Sequence, residues 1–378
     1  VLVAAVVITL VAWPRFQDHG RDPTHFVQFG FRYHDVVRAP PGARVESAEG
    51  YDGQFFWLMA LSPGLGRTSV DGLNQVGQQY RAQRMAYPTI ASLLALDRPA
   101  RIPWTLLALN VLVLLAATYL AAIWAKRNGR SPWWGLALGL TPGLVLATMR
   151  DLSDPLAVTA LVGGLIAWRL DRRVAAGFLL CLAVLTRETM LLGVLAVAGD
   201  AALRWYRSTD PGERRDLVRK AWPVVAAPVA CFLVWQAYAT VRLGGSPLTS
   251  TGATTNVAGV VGKGQFDLPF AGAVHWVQRA LRETTLHETL WELSYVALIV
   301  AGASVAVVSA IRSPRAMSLA AALFGLAALV QVSGDRFGYT RASAPMFACL
   351  LLVGLERDRW ALGAAGATAA LVVALPGG

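Results

Sequence analysis

The sequence predicts an all-α protein: a polytopic transmembrane bundle with interfacial helices in a long first outer loop. Composition is the first sign. Hydrophobic residues make up 55% of the 378 and charged residues only 15%, where soluble domains run near a quarter charged. Mean hydropathy is +0.49. Apolar runs recur from Val1 to Pro376. A soluble chain of this length would hold two or three domains, but a helical bundle is read as one, 1–378.

Taken in order, the apolar runs give about 11 membrane segments: 1–14, 104–125, 131–149, 154–170, 174–186, 189–204, 219–242, 291–311, 316–333, 342–355 and 361–376. Prolines at 14, 103, 132, 142, 155, 223, 314 and 345 fall near expected helix ends, where they are tolerated. Segment 174–186 is short. It either stands alone or forms one broken helix with 189–204, interrupted at Thr186-Arg187-Glu188. Val1 is not a start Met, so residues are expected to precede it. The first run lacks a small-residue cleavage site before Trp13-Pro14 and reads as a membrane helix, not a signal peptide.

Orientation follows from Lys and Arg in the connections. One set of loops carries Lys126, Arg127, Arg130, Arg169, Arg172 and Arg173. It also carries Arg204, Arg207, Arg214, Arg215, Arg219 and Lys220, then Arg312, Arg315, Arg357 and Arg359. The opposite short loops carry Arg150, Arg187, Arg336 and Arg341. The first set is therefore cytoplasmic. The long loops 15–103 and 243–290 then face outside. The formal charge of +11 belongs to these loop arginines. No nucleic-acid motif accompanies it, so nucleic acid is not an expected partner. Cys181, Cys231 and Cys349 lie within apolar runs and read as core residues.

The stretch Gly50 to Pro63, GYDGQFFWLMALSP, organises the first outer loop. Its apolar run, Phe55 to Leu61, is far too short to span a bilayer, which takes about 20 residues. It reads as a short interfacial helix, with Asp52 at its head between Tyr51 and Gly53. Glycines 50 and 53 permit a tight turn there. Asp52 is either a catalytic base or substrate clamp, or simply the helix N-cap. Asn74 to Leu96 reads as a second helical stretch, interrupted near Pro88. Tyr80, Arg81, Arg84 and Tyr87 recur in it at helical spacing, placing two guanidiniums on one side. The second outer loop opens with a Gly/Ser/Thr-rich run, flexible enough for a lid, and 270–290 reads as another surface helix.

The remaining outer connections are nearly loop-free and densely charged. They hold Arg150-Asp151-Leu152-Ser153-Asp154, Thr186-Arg187-Glu188-Thr189, and Asp335-Arg336 through Tyr339 to Arg341. Each pair alone is explained by helix capping. Ionisable residues this close to hydrocarbon are nevertheless expensive and are usually paired or functional. Together with Asp52, Arg81 and Arg84 they predict a polar cavity rimmed by arginine, with Tyr51, Gln54, Tyr87, Asp151, Asp154, Glu188, Asp335 and Tyr339 on its walls. Arginine grips phosphate through bidentate hydrogen bonds, and a carboxylate can take a proton from an acceptor hydroxyl. That chemistry is glycosyl transfer from a polyprenyl-phosphate sugar.

With its early aspartate, long first outer loop and many apolar helices, the chain resembles the GT-C superfamily of integral-membrane glycosyltransferases. GYDGQFF, YRAQRMAYP, RDLSDPLA and LTRETMLL resemble bacterial multi-pass proteins of that type. The likeness is weakest at 205–290 and after 342. It implies a base in the first outer loop, which maps best to Asp52 with Asp35 as the alternative. It also implies a donor-phosphate site drawn from Arg187, Arg81, Arg84, Arg150, Arg336 and Arg341. The implied partners are the lipid bilayer, a polyprenyl-phosphate sugar donor and a glycan, lipid or protein acceptor. The implied location is a bacterial plasma membrane, with the site outside. No DxD pair stands in the loop, and His25, His34, His275 and His287 form no i, i+4 pair, so no motif supports a divalent metal cofactor. Trp276 and Trp291 near the outer face read as belt anchors ahead of sugar platforms. A transporter or flippase of lipid-linked or small polar cargo is the alternative function, although no internal repeat of the kind such proteins carry is visible. A non-catalytic scaffold would not need charges gathered at short outer turns.

Overall fold

The computed structural model describes residues 1–17, 21–30, 45–47, 50–65, 79–96, 98–248, 270–330 and 336–374. They form an all-α protein of sixteen helices, with one two-stranded parallel pairing, β1 (Phe29–Gly30) with β2 (Val45–Ser47). The first helices are α1 (Leu2–Gln17), α2 (Thr24–Val27), α3 (Gly53–Leu61), α4 (Ala86–Ala95) and α5 (Ile102–Arg127). Next come α6 (Gly135–Gly139), α7 (Pro142–Thr148), α8 (Asp154–Arg169), α9 (Arg173–Thr186), α10 (Leu191–Arg207) and α11 (Pro211–Leu243). The last are α12 (Ala271–Glu283), α13 (Leu286–Arg312), α14 (Ala316–Leu329), α15 (Arg336–Glu356) and α16 (Arg359–Ala370).

Four stretches among the described residues are long and apolar enough to cross a membrane: Pro99–Arg127, Pro211–Leu243, Leu286–Arg312 and Phe337–Glu356. They make this a membrane protein. Other expected segments are shorter or divided. The stretch 131–149 is a 3-10 turn (Pro132–Trp134) followed by α6 and α7. It divides before Pro142, which has no N–H to continue the helix and instead opens α7. Pro103 and Pro155 likewise sit in first turns, whereas Pro14, Pro223 and Pro345 lie inside helices.

The pair α9 and α10 is a hairpin rather than one broken helix. Arg187, at its apex, is extended (φ −157°, ψ 125°). Trp168, at the end of α8, donates to Asp200 of α10 at 2.8 Å. Gly164 of α8 accepts Leu180 of α9 in van der Waals contact, and Gly193 of α10 admits Leu161 of α8. Small residues of this kind let helices approach closely where lipid supplies no hydrophobic drive. α8 is thereby buried along almost its whole length.

Two apolar cores result. The larger runs through α5 to α16. The smaller lies under the first loop, where Phe55, Phe56, Trp57, Tyr87, Leu106 and Leu152 meet. α3 is buried from Gly53 through Ala60, so it is enclosed by protein instead of lying on a surface. α4 runs unbroken from Ala86, with Pro88 in its first turn, where a backbone N–H has no helical acceptor anyway. Residues 270–290 hold α12 and the start of α13, and Trp276 is fully buried. Its ring stacks on Tyr339 at 5.2 Å, while Trp291 stacks on Tyr295 at 5.2 Å. Both tryptophans are therefore core residues, not belt anchors. Of the cysteines only Cys349 is buried; Cys181 is half-buried and Cys231 exposed.

Candidate functional site

Asp52 is placed by the backbone around it. Gly50 adopts φ +65°, and a Cβ there would lie 2.4 Å from Gly30 N, so only glycine closes this turn onto β1. Tyr51 N donates to Gln28 O at 3.0 Å, and Gly30 N donates to Gln54 Oε1 at 3.2 Å. A Cβ on Gly53 would stand 2.6 Å from the carbonyls of Arg150 and Val27. The head of α3 is thus pressed against the turn between α7 and α8.

Asp52 occupies the N-cap position of α3, yet its side chain makes no capping bond. It faces arginines instead. Arg81 Nε donates to Asp52 Oδ1 at 2.8 Å and Arg81 Nη2 lies 2.7 Å from it. Arg84 Nη1 and Arg341 Nη1 stand 3.7 and 4.0 Å from Oδ2. Arg81 and Arg84 come from a 3-10 turn, Gln79–Gln83, and the residue that follows it, a geometry in which positions i and i+3 share one side.

Arg84 also grips Glu188 fork to fork, at 3.0 and 2.8 Å. On the far side Asp154, 1% exposed, lies between two guanidiniums. Arg341 Nε and Nη2 meet its Oδ2 at 3.1 and 3.0 Å, and Arg187 pairs with its Oδ1. Arg341 Nη1 donates to the Tyr51 hydroxyl at 3.4 Å. Arg150 lies 3.4 Å above the Phe337 ring and 4.4 Å from that of Tyr51, while Arg81 covers Phe55 at 4.1 Å.

Four guanidiniums, from Arg81, Arg84, Arg187 and Arg341, therefore enclose three carboxylates, from Asp52, Asp154 and Glu188. Burial by itself would raise the Asp52 carboxyl, but Arg81, then Arg341 and Arg84, hold it well below the usual carboxylate range. Glu188 is drawn down to about 2, the Arg84 fork outweighing burial. Burial, with Arg341 and Arg84 as like charges, presses Arg187 down to about 9, against the pull of Glu188 and Asp52. Among the described residues its buried Nε has no hydrogen-bond partner. These seven groups, among the described residues, carry one more cation than anion.

The three charged turns, Asp52 and the double-arginine turn all meet here. Several expected wall residues also have roles in the fold. Tyr87 is fully buried; its hydroxyl donates to Leu106 O at 3.0 Å and accepts from Asn110 Nδ2 at 2.8 Å. Gln54 is fully buried and ties the turn to β1. Tyr339 belongs to the aromatic stack with Trp276. Asp151 is fully buried, with φ 47°, in the tight turn before α8. Asp35, His34 and Asp335 lie outside the described residues, as does most of the Gly/Ser/Thr-rich run; the Arg336 side chain also falls outside them. Among the described residues no three His, Cys, Asp or Glu side chains gather as a metal-ligand set. The bridging of Arg187 and Arg341 by Asp154, and the aromatic seats of Arg81 and Arg150, had no signal in the sequence beyond residue type. No family model, curated protein or solved structure matches the chain, so its chemistry is argued from this cluster.

Proposed function

We propose that the chain is a GT-C-type membrane glycosyltransferase, moving a sugar from a polyprenyl-phosphate donor to an acceptor hydroxyl at the outer face of a bacterial plasma membrane. The observation that carries this reading is the arginine-rich cluster closed around Asp52, Asp154 and Glu188 at one end of an apolar bundle. A lipid phosphate reaches such a place from the bilayer, its chain in hydrocarbon and its charge among guanidiniums. In the reaction the acceptor oxygen bonds to the anomeric carbon as the bond from that carbon to the phosphate oxygen breaks. The electron pair leaves on the phosphate, where fixed arginines stabilise it. Asp52 takes the acceptor proton, and attack opposite the phosphate inverts the anomeric centre.

Held by Arg81, Asp52 is ionised but weakly basic. A donor phosphate competes for Arg81, Arg84 and Arg341, and in doing so restores basicity to Asp52 when the donor is in place. Purified protein is to be incubated with a panel of polyprenyl-phosphate sugars, reading release of polyprenyl phosphate. Asp52→Asn is expected to bind donor yet lose about 100-fold or more in turnover, with a smaller loss for Asp35→Asn. Full activity of both variants would sink the assignment. Cargo movement without phosphate release would favour the transporter.

A further inference from the structure

A second site lies at the other end of the bundle. α10 and α11 meet through the connection 208–210, and between them runs a groove of about 320 Å³ with almost wholly apolar walls. Its α10 wall is Ala198, Ala202 and Trp205, and its α11 wall is Val218, Trp222 and Val225. These positions recur every three or four residues, so each set forms one stripe of its helix. Val218, Trp222 and Trp205 are 55%, 70% and 43% exposed. The groove is open along its length, and no described segment covers it.

The stripe ends in charge. One turn below Val218 stand Arg214 and Arg215, and Arg207 and Arg219 are exposed beside them. Arg214 lies 4.9 Å from the Trp205 ring, with its Nε donating to Ser208 O at 2.9 Å. It is thereby fixed at the mouth of the groove. Between Arg204 and Lys220 the chain carries six basic residues against Asp210, Glu213 and Asp216. Arg187 and Trp205 are eighteen residues apart along the hairpin arm, roughly 27 Å at helical rise. The groove is therefore separate from the arginine–carboxylate cluster.

We infer that this groove holds one acyl chain of an anionic phospholipid, with the phosphate seated on Arg214 and Arg215. Apolar length above and fixed guanidinium below match the two parts of such a lipid in the order a bilayer presents them. Arginine suits phosphate because its fork donates two parallel hydrogen bonds. Basic clusters beside a membrane helix select anionic headgroups. Zwitterionic lipid offers the same chain but carries its own ammonium, and the cluster does not favour it. The site is independent of the glycosyltransferase reading.

The test uses the full chain in neutral detergent, with phosphatidylglycerol and phosphatidylcholine of identical acyl chains, and counts retained lipid by native mass spectrometry. Wild type is expected to retain phosphatidylglycerol about 10- to 30-fold better, the gain expected from two arginines near the surface. Arg214→Gln/Arg215→Gln is expected to bring the two lipids to parity. Ala202→Leu, at an exposed position that fills the groove without entering the core, is expected to lower retention of both. Equal retention by wild type overturns the inference. So does a preference that survives both sets of substitutions.

Discussion

Arg187 is the residue on which the proposed donor-phosphate site leans most. Its partner Asp154 is shared with Arg341, its buried Nε has no partner among the described residues, and neighbouring guanidiniums oppose its charge. Lysine keeps the charge but not the fork. Donor binding, read by a competition assay, should fall about 10-fold in Arg187→Lys and further in Arg187→Ala, a hydrogen bond to a charged group being worth about 1.5–3 kcal/mol. Glu188 makes a pH prediction. Its carboxyl is held at about 2, against an ordinary 4.5. The stability this supplies is complete above about pH 4.5 and is lost as pH falls toward 2. Asp52, lowered for the same reason, acts in the same direction. Thermal midpoints should drop across that window. Glu188→Gln should lower the midpoint at pH 7, by about 3 kcal/mol of stability, and flatten the acid slope. Asp52, Arg81, Arg84, Arg187 and Arg341 were legible in the sequence because charges stood where apolar runs ended. The side-chain pairing was not. Nothing in the spacing of Asp154 says that it meets residues 33 and 187 positions away.

At the scale of the element, glycine decides how the site is held. A Cβ on Gly143 in α7 would lie 2.0 Å from Thr340 O and 3.1 Å from Arg341 N. Backbone cannot yield as a side-chain end can, so α7 and α15 would have to separate, shifting Arg341 on α15 relative to Asp154 at the start of α8. Gly143→Ala should cost about 1–3 kcal/mol in thermal unfolding and weaken donor binding without touching a ligand-facing side chain. Gly199→Ala, where the added carbon meets only the end of Leu319 at 3.4 Å, is the control. Elements were legible where apolar length was unbroken, as in α5 and α13. The stretch 131–149 misled because hydropathy does not register a break when the residues on both sides are apolar. Trp276 and Trp291 misled for a related reason: an aromatic near a helix end reads the same whether it meets lipid or another ring.

Over the whole molecule, charges at the two ends differ in kind. At the end of α8 opposite Asp154, Arg169 and Arg315 meet Glu356 at 3.1 and 3.2 Å, and Lys220 bridges Asp216 and Asp171 at 2.7 and 3.7 Å. α8 spans sixteen residues, so these pairs lie about 24 Å from the arginine cluster. Cysteines at Ala100 and Thr209, both exposed, should test orientation in intact cells. Ala100→Cys is expected to react with an impermeant thiol reagent and Thr209→Cys only after lysis; the reverse pattern would put the cluster on the cytoplasmic side. The expected orientation rests on the asymmetry of Lys and Arg, which depends on counts and not on contacts.

α8 itself has a consequence for how the protein is made. At about 24 Å it is shorter than the hydrocarbon layer of about 30 Å, it opens with Asp154-Pro155, and its side chains meet other helices along nearly their whole length. Such a segment has little reason to remain in lipid alone as it leaves the ribosome. It must wait for the α9–α10 hairpin, whose Leu180 and Gly193 complete its surroundings. Truncated chains released after Arg169 should leave α8 open to protease, and chains extended past Arg207 should protect it. Synthesis order would then set when the acid that joins two arginines finds its place.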